Sequence, residues 1–357
     1  MVYYIRFLKT PRLQKQKSGP VSASALICIT TDLGDAFLSE DVDLLVFLRL
    51  SRGAKVVCQG RLQWQAGKRE LPISLGPLPA SISQESVIME VTSQTSGRLL
   101  SDSLQDQHKI PLVISGWSAP FGGLQSPVAD KLIERRFGVT EGVNLSIWEE
   151  TGNSIARHIW DAAIASVMYL QQTIAGDQRP CNPRLQDLLR SEPSSPLHVI
   201  ELGSGCGIVG VALAEMLPQC SVLLTDLPEV EEIVMKNIGA ARPADSSEIR
   251  YQSLDWDEKL PENLFESPSI DLVLVSDCTY NADSLPALVS VLDRLVNLSP
   301  HAIILVALKR RHESEGIFFD LMQSADLHTF HLHRMEIPSQ HDQCDEIELH
   351  CYGRDTQ

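Results

Sequence analysis

The 357-residue chain has the length of about two domains, and 43% hydrophobic against 21% charged residues are globular proportions that exclude wholesale disorder and a collagen-like repeat. No apolar run approaches the ~18 residues of a membrane-spanning helix; the longest lies near residues 302–308, so the chain reads as soluble with no membrane partner. The net charge of −16 is uneven: residues 1–140 carry 16 Lys/Arg and 12 Asp/Glu (net +4), leaving 14 and 34 (net −20) for the rest.

So acidic a C-terminal part repels phosphate backbones, so no nucleic-acid partner is expected, and it favours a basic partner such as a lysine-bearing protein. A solvated acidic surface that serves solubility alone would look the same. Eight cysteines, at 28, 58, 181, 206, 220, 278, 344 and 351, show no CxxC and no regular spacing. Neither a metal site nor a disulfide framework is expected, and a reducing compartment follows, the cytoplasm or also the nucleus. The first 31 residues hold no acid and carry Arg6, Lys9, Arg12, Lys15 and Lys17. A mitochondrial presequence has that character, but residues 3–8 read equally well as a strand.

In chain order, short β-branched and apolar segments come first, at 25–31, 43–50, 55–64, 70–75, 86–92 and 111–116. Six strands at this spacing predict a small β-rich, sandwich-like domain over residues 1–118. Residues 119–145 read as a connector. Apolar residues at helical spacing, Ile155, Ile159, Ala162, Ala163, Val167 and Leu170, predict a helix over 150–172, and a proline-rich stretch at 180–196 breaks the chain.

From His198 onward the pattern changes class. Strand-length apolar runs at 198–202, 221–225, 249–254, 270–276, 302–308, 327–335 and 347–352 alternate with helical segments at about 207–216, 228–237, 284–298 and 314–323. Fully apolar strands that alternate with helices predict an α/β fold whose parallel sheet is covered on both faces.

The first of these strands ends in Glu201-Leu202-Gly203-Ser204-Gly205-Cys206-Gly207-Ile208-Val209-Gly210 and passes directly into a helix. Glycines there let the backbone turn sharply and let a ligand approach the main chain, at the sheet edge where open α/β sheets bind ligands. Gly205, Gly207 and Gly210 also spell GxGxxG, with Asp226 21 residues after Gly205, which taken alone suits a nicotinamide dinucleotide. Charge decides between the cofactors. Glu201 stands where a dinucleotide brings its pyrophosphate, whereas S-adenosylmethionine brings a sulfonium and an ammonium. Asp226 then accepts hydrogen bonds from both ribose hydroxyls. Further on, Trp256 covers an adenine face or fills the core, and Asp255 accepts from the adenine amino group or serves as a turn residue.

These residues resemble the seven-β-strand protein lysine methyltransferases of family 16, the methyltransferase-like group. The resemblance covers about 145–352 and rests on Ile159-Trp160-Asp161-Ala162-Ala163, the glycine turn from Glu201 to Gly207, Thr225-Asp226, Leu254-Asp255-Trp256 and the Asp277-x-x-Tyr280 signature. It implies a Rossmann-like methyltransferase domain over 146–357, with strand order 3-2-1-4-5-7-6 and the seventh strand antiparallel. It further implies that Trp160 closes over S-adenosylmethionine, that Gly203, Ser204 and Gly205 line the donor's amino-acid moiety, and that Asp226 holds its ribose. Trp256 packs on adenine and Ser276 occupies a small-residue position beside the donor. The β-rich segment lies outside the shared core.

Asp277 and Tyr280 follow an apolar strand, which puts them at the sheet edge as catalytic candidates. Asp277 is expected to orient the incoming ε-amine of a substrate lysine, with Tyr280 walling its channel by the ring face; capping of the next helix is the competing role for Asp277. Glu149 and Glu150 read as an acceptor entrance or as a charged first helical turn. His331 and His333 would share one face of a strand, and Lys309-Arg310-Arg311 reads as a solvated strand end. The expected function is methyl transfer to lysine of a protein substrate. Methylation of RNA or a small molecule, and a noncatalytic scaffold, are the alternatives.

Overall fold

The computed structural model describes residues 1–15, 20–53, 55–93, 101–106, 110–124, 126–152, 154–176, 182–190, 196–262, 264, 269–311, 316–341 and 343–354. Cys181, Lys17 and the start of the helix expected at 314–323 lie outside them.

The chain opens with strands β1 (Tyr3–Lys15), β2 (Val21–Thr30), β3 (Val42–Leu50), β4 (Val56–Trp64), β5 (Leu71–Leu78) and β6 (Ser86–Thr92). Short strands β7 (Asp102–Ser103), β8 (Val113–Ile114), β9 (Gly116–Ser118) and β10 (Phe121–Gly122) follow, then the long hairpin β11 (Leu132–Thr140) and β12 (Val143–Glu150). They form a four-stranded sheet in the order β5-β2-β1-β8 and an eight-stranded sheet along β12-β11-β9-β6-β3-β4, with β10 on β6 and β7 on β11. In β5 the residues Leu71, Ile73 and Leu75 point inward while their neighbours face solvent, the period-two alternation of a half-buried strand. Ile5, Phe7 and Ile27 from one sheet meet Val46, Leu48 and Met89 from the other in a shared core.

Two expectations change here. Residues 119–145, read as a connector, hold β10, β11 and the start of β12, so the β-rich part runs on to Glu150. Charges hid the strand: Arg135 stands among the inward-facing residues of β11, fully buried against the equally buried Glu149 of β12. The helix expected at 150–172 is α1 (Asp161–Ala175), because Glu150 ends β12 and residues 155–157 form a single 3-10 turn.

After α2 (Pro183–Arg190), strands β13 (Leu197–Leu202), β14 (Cys220–Asp226), β15 (Glu248–Ser253), β16 (Leu272–Ser276), β17 (Ile303–Leu308), β18 (His328–Pro338) and β19 (Cys344–Gly353) alternate with α3 (Ile208–Met216), α4 (Glu231–Ala240), α5 (Leu285–Leu298) and α6 (Gly316–Ser324). The sheet runs β15-β14-β13-β16-β17-β19-β18, parallel except for β19, which pairs antiparallel with both neighbours. Numbered within this sheet, that is the order 3-2-1-4-5-7-6. Every residue of β17 is buried, as a strand covered on both faces requires.

The two parts share packing. Phe137, Val139, Leu145 and Ile147 of the β11–β12 hairpin join Ile164, Met168 and Leu170 of α1 and Val209 and Leu213 of α3 in one core. From α4, Asn237 accepts from the Trp148 N–H at 2.8 Å and donates to the carbonyls of Trp148 at 2.9 Å and Cys206 at 2.8 Å. That side chain ties the hairpin to the glycine turn.

Candidate active site

Strand β13 brings Glu201 to the C-terminal edge of the sheet, and Gly203, Gly205 and Gly207 turn the chain at φ values of 63°, 54° and 76° before α3 starts. A Cβ at Gly203 would lie 2.5 Å from Cys278 Sγ, and one at Gly205 would lie 2.9 Å from the Ala156 carbonyl oxygen. Both positions therefore need glycine on steric as well as conformational grounds. The Ser204 N–H donates to the Thr225 carbonyl at 3.0 Å and the Gly207 N–H to the Ser204 carbonyl at 2.7 Å, which fixes the turn against β14.

A cavity of about 290 Å³ lies over this turn. Every candidate donor-binding residue, together with Asp277 and Tyr280, lines it. Gly203, Ser204 and Gly205 form its floor, with Glu201 and Ser276 from the strand ends and Trp160 from the entry to α1. Asp226, Asp255 and Trp256 line the side toward β14 and β15, and Asp277 and Tyr280 the side toward β16. Tyr280 is 62% exposed, which places it at the mouth.

The polar groups are arranged rather than scattered. Asp226 accepts from the Gly205 N–H at 2.8 Å through one carboxylate oxygen and from the Leu227 N–H at 2.7 Å through the other. Burial pushes its carboxyl up, against the pull of those two N–H groups. Each oxygen keeps a lone pair for a ribose hydroxyl. Glu201 accepts from the Gly210 N–H at 2.7 Å. Burial pushes its carboxyl up to about 8, with Gly210 opposing and Asp226 adding to the rise. The glutamate is thus held ready to ionise beside a cation rather than standing ionised on its own, which refines the charge argument made from sequence. Asp255 accepts from the Asp257 N–H at 3.0 Å, so it is a turn residue and a cavity residue at once. Ser276 Oγ lies 2.8 Å from Ser166 Oγ of α1.

S-adenosylmethionine fits this lining. Ser204 Oγ is buried without a hydrogen-bond partner among the described residues, a donor aimed at nothing in the protein. Six acidic residues, Glu201, Asp226, Glu229, Asp255, Asp257 and Asp277, line a cavity of the size and polarity that a cationic nucleoside needs.

Asp277 has a charged partner that lies far from it in sequence. It sits at φ 57°, buried, and accepts two bonds from the Arg311 guanidinium, at 2.6 Å and 2.7 Å. Burial pushes its carboxyl up while Arg311 draws it back. The same guanidinium donates to Asp32 at 2.9 Å and stands 5.5 Å over the Trp160 ring. Helix capping by Asp277 has no support, since Ser284 precedes α5 without any side-chain cap.

The run at 309–311 is therefore no solvated strand end. Lys309 is buried and bonds to Asp161 at 3.2 Å and Asp345 at 3.0 Å, and only Arg310 is largely exposed, with Glu348 as its partner at 2.9 Å. Glu149 and Glu150 also differ from expectation, because both end β12 rather than begin a helix. Glu149 accepts from Arg135 at 2.7 Å and from the Ile159 N–H at 2.9 Å, and Glu150 pairs with Arg157. Burial alone would raise the Glu149 carboxyl; Arg135, His158 and Arg6 together hold it well below the usual carboxylate range. His333 packs against Tyr169, ring centroids 5.1 Å apart. Arg311, Asp32 and His158 were missed as site residues; the first had shown only as part of a basic run.

A seven-stranded methyltransferase sheet with an acidic, glycine-floored cavity at its switch point defines a class of S-adenosylmethionine-dependent enzyme. The lysine methyltransferase family model matches residues 139–325, more than half of the chain, and the chain belongs to that family. UPF0665 family protein C23C4.06c of Schizosaccharomyces pombe is 27% identical over 325 residues, 88% of this chain and 91% of that one, a span that takes in both parts. The mouse protein N-lysine methyltransferase METTL21A is 28% identical over 177 residues, 49% of this chain and 70% of its own. Mouse EEF1A lysine methyltransferase 3 is 30% identical over 185 residues, 51% and 69%. The protein is an enzyme that methylates protein lysine with S-adenosylmethionine.

Proposed function

We propose that the acceptor is a lysine in an accessible segment of a folded protein in the cytoplasm or nucleus, and that Asp277 and Tyr280 receive it. The observation that carries the reading is the meeting of Asp277, Tyr280 and the donor-side residues in one cavity. S-adenosylmethionine supplies a methyl group on a positively charged sulfur; the protein's task is to present a neutral amine in line with it. Glu201 and Asp226 hold the donor's charged and ribose ends, and Trp160 and Trp256 bound it.

At the acceptor end, Arg311 uses two of the roughly four lone-pair positions of the Asp277 carboxylate. The others remain for an N–H of the incoming amine. Because the guanidinium offsets the charge of Asp277, the amine is held by hydrogen bonding rather than as a tight ammonium ion pair. That suits a reaction in which only the deprotonated amine has a lone pair to give, with water taking the proton. Tyr280 at the mouth presents a ring face to the lysine stem and cation. The net −20 of residues 141–357 draws basic protein surfaces and repels phosphate. Two of the three basic residues at 309–311 are committed to internal carboxylates, which leaves little for a nucleic acid.

Radiolabelled methyl transfer to lysate from cells lacking this protein, followed by mass spectrometry of lysine methylation, tests the reading. A discrete labelled protein, lost with Asp277→Asn while donor binding persists, is the expected result. Label in the nucleic-acid fraction would overturn it.

A further inference from the structure

The catalytic candidate Asp277 is held from outside the catalytic fold. Asp32 lies just beyond β2 in the β-rich part, is buried, and reaches the Arg311 guanidinium at 2.9 Å. Arg311 is fixed on its other side by the two bonds to Asp277 and is not among the residues that line the cavity, whereas Asp277 is. The guanidinium thus braces Asp277 from behind instead of occupying the acceptor's place. The carboxylate oxygen of Asp32 that meets Arg311 also accepts, at 3.4 Å, the N–H of Asp161, the first residue of α1, next to Trp160. That N–H is one of the four a helix start leaves unpaired, and Trp160 supplies no side-chain cap of its own.

Asp32 is itself immobilised. Its other carboxylate oxygen accepts from the Leu33 N–H at 2.8 Å, and its carbonyl accepts from Arg6 of β1 at 2.8 Å. Arg6 reaches His158, a cavity residue, at 3.0 Å. Two lines of polar contact therefore run from the β-rich part to the cavity wall, and one ends on the group that faces the acceptor.

We propose that Asp32 is a positioning residue for methyl transfer: through Arg311 it sets the carboxylate of Asp277, so that the β-rich part completes the catalytic site. A bidentate guanidinium–carboxylate pair has a fixed plane, and a second carboxylate on the same guanidinium fixes its rotation. Without Asp32 the guanidinium loses one of the two carboxylates that set its rotation, and the setting of Asp277 loosens with it. The proposal rests on the reading of Asp277 as the group that receives the amine.

The test uses the full chain, tritiated S-adenosylmethionine and lysate proteins from cells lacking this protein, with enzyme in excess so that the first turnover is read. Calorimetry of S-adenosylhomocysteine binding and a thermal melt run alongside. Asp32→Asn, nearly isosteric, is expected to slow labelling about tenfold or more, the range found when groups that orient catalytic groups are removed. Thioether affinity is expected to change by less than about threefold. The Asp32→Asn/Arg311→Lys pair is expected to be no slower than Arg311→Lys alone, because both act on one relay. Where Asp32→Asn melts early, Arg311→Lys, which keeps the charge and gives up the paired geometry, carries the same readouts.

Labelling by Asp32→Asn at the parental rate, slowing that only mirrors a loss of thioether affinity, or multiplicative slowing in the double variant overturns the proposal. Asp277→Asn separates the two levels. If it is slow while Asp32→Asn is not, the relay alone fails; if it labels at the parental rate, the reading of Asp277 fails with it.

Discussion

Glu201 gives the sharpest quantitative expectation. Burial, above all, pushes its carboxyl up from an ordinary 4.5 to about 8. A sulfonium or ammonium beside it favours the ionised form, so donor binding between those two values releases a proton. Affinity for S-adenosylmethionine should then rise by up to about tenfold per pH unit, about 50-fold from pH 6 to pH 8, and level off above about 8. S-adenosylhomocysteine lacks the sulfonium and should show a shallower slope, which separates the sulfur charge from the amino group common to both. For the protein alone the sign is opposite. A carboxyl whose folded value is raised costs nothing below about 4.5, destabilises increasingly as pH rises, and reaches its full cost, on the order of 5 kcal/mol, above about 8. Glu201→Gln removes both effects. It should melt higher than the parent at pH 8, match it near pH 5, and bind the donor with a flattened pH profile. Calorimetry across pH in two buffers of different ionisation enthalpy counts the released proton. A parental affinity constant from pH 6 to 8, or a Glu201→Gln profile that overlays the parent, refutes the reasoning.

Other expectations follow from neighbouring residues. Asp226→Ala strands the Gly205 and Leu227 N–H groups and removes the carboxylate proposed to take two charge-assisted bonds from ribose, so donor affinity should fall at least about 100-fold by calorimetry, at about 1.5–3 kcal/mol per bond. Gly205→Ala drives a Cβ to 2.9 Å from the Ala156 carbonyl at a φ of 54°, and should abolish donor binding while the chain stays folded by circular dichroism. Glu149→Gln leaves the fully buried Arg135 without its counter-charge and should cost about 3–5 kcal/mol in urea unfolding. Because Glu149 is held below the usual carboxylate range, the stability it lends is present above about pH 4.5 and is lost as the medium is acidified below that value, a fall that Glu149→Gln should not show.

The catalytic fold was legible because its central strands β16 and β17 are apolar almost throughout and its glycine turn is local in sequence. Period and spacing report both, and the candidate donor-binding and catalytic residues all lie within 160–280. What stayed hidden depends on distance along the chain. Arg135 and Glu149 are charges buried in a strand pair, so β11 and the start of β12 read as a connector. Arg311 looked like a surface cation because its partners, Asp32 and Asp277, lie 279 and 34 residues away. A pairing across that span leaves no periodic trace. Likewise, the apolar spacing from Ile155 to Leu170 runs across the 3-10 turn into α1 and so predicts one helix over 150–172.

The hairpin β11–β12 bears on how this enzyme can be handled and inherited. Its apolar side is wedged under α1 and α3, and Asn237 stitches it to the loop that carries the donor site. A cassette cut at residue 146 would carry α1 out with a greasy flank bared to water, so the front half behaves less like a detachable adaptor than like the chassis on which the engine is bolted.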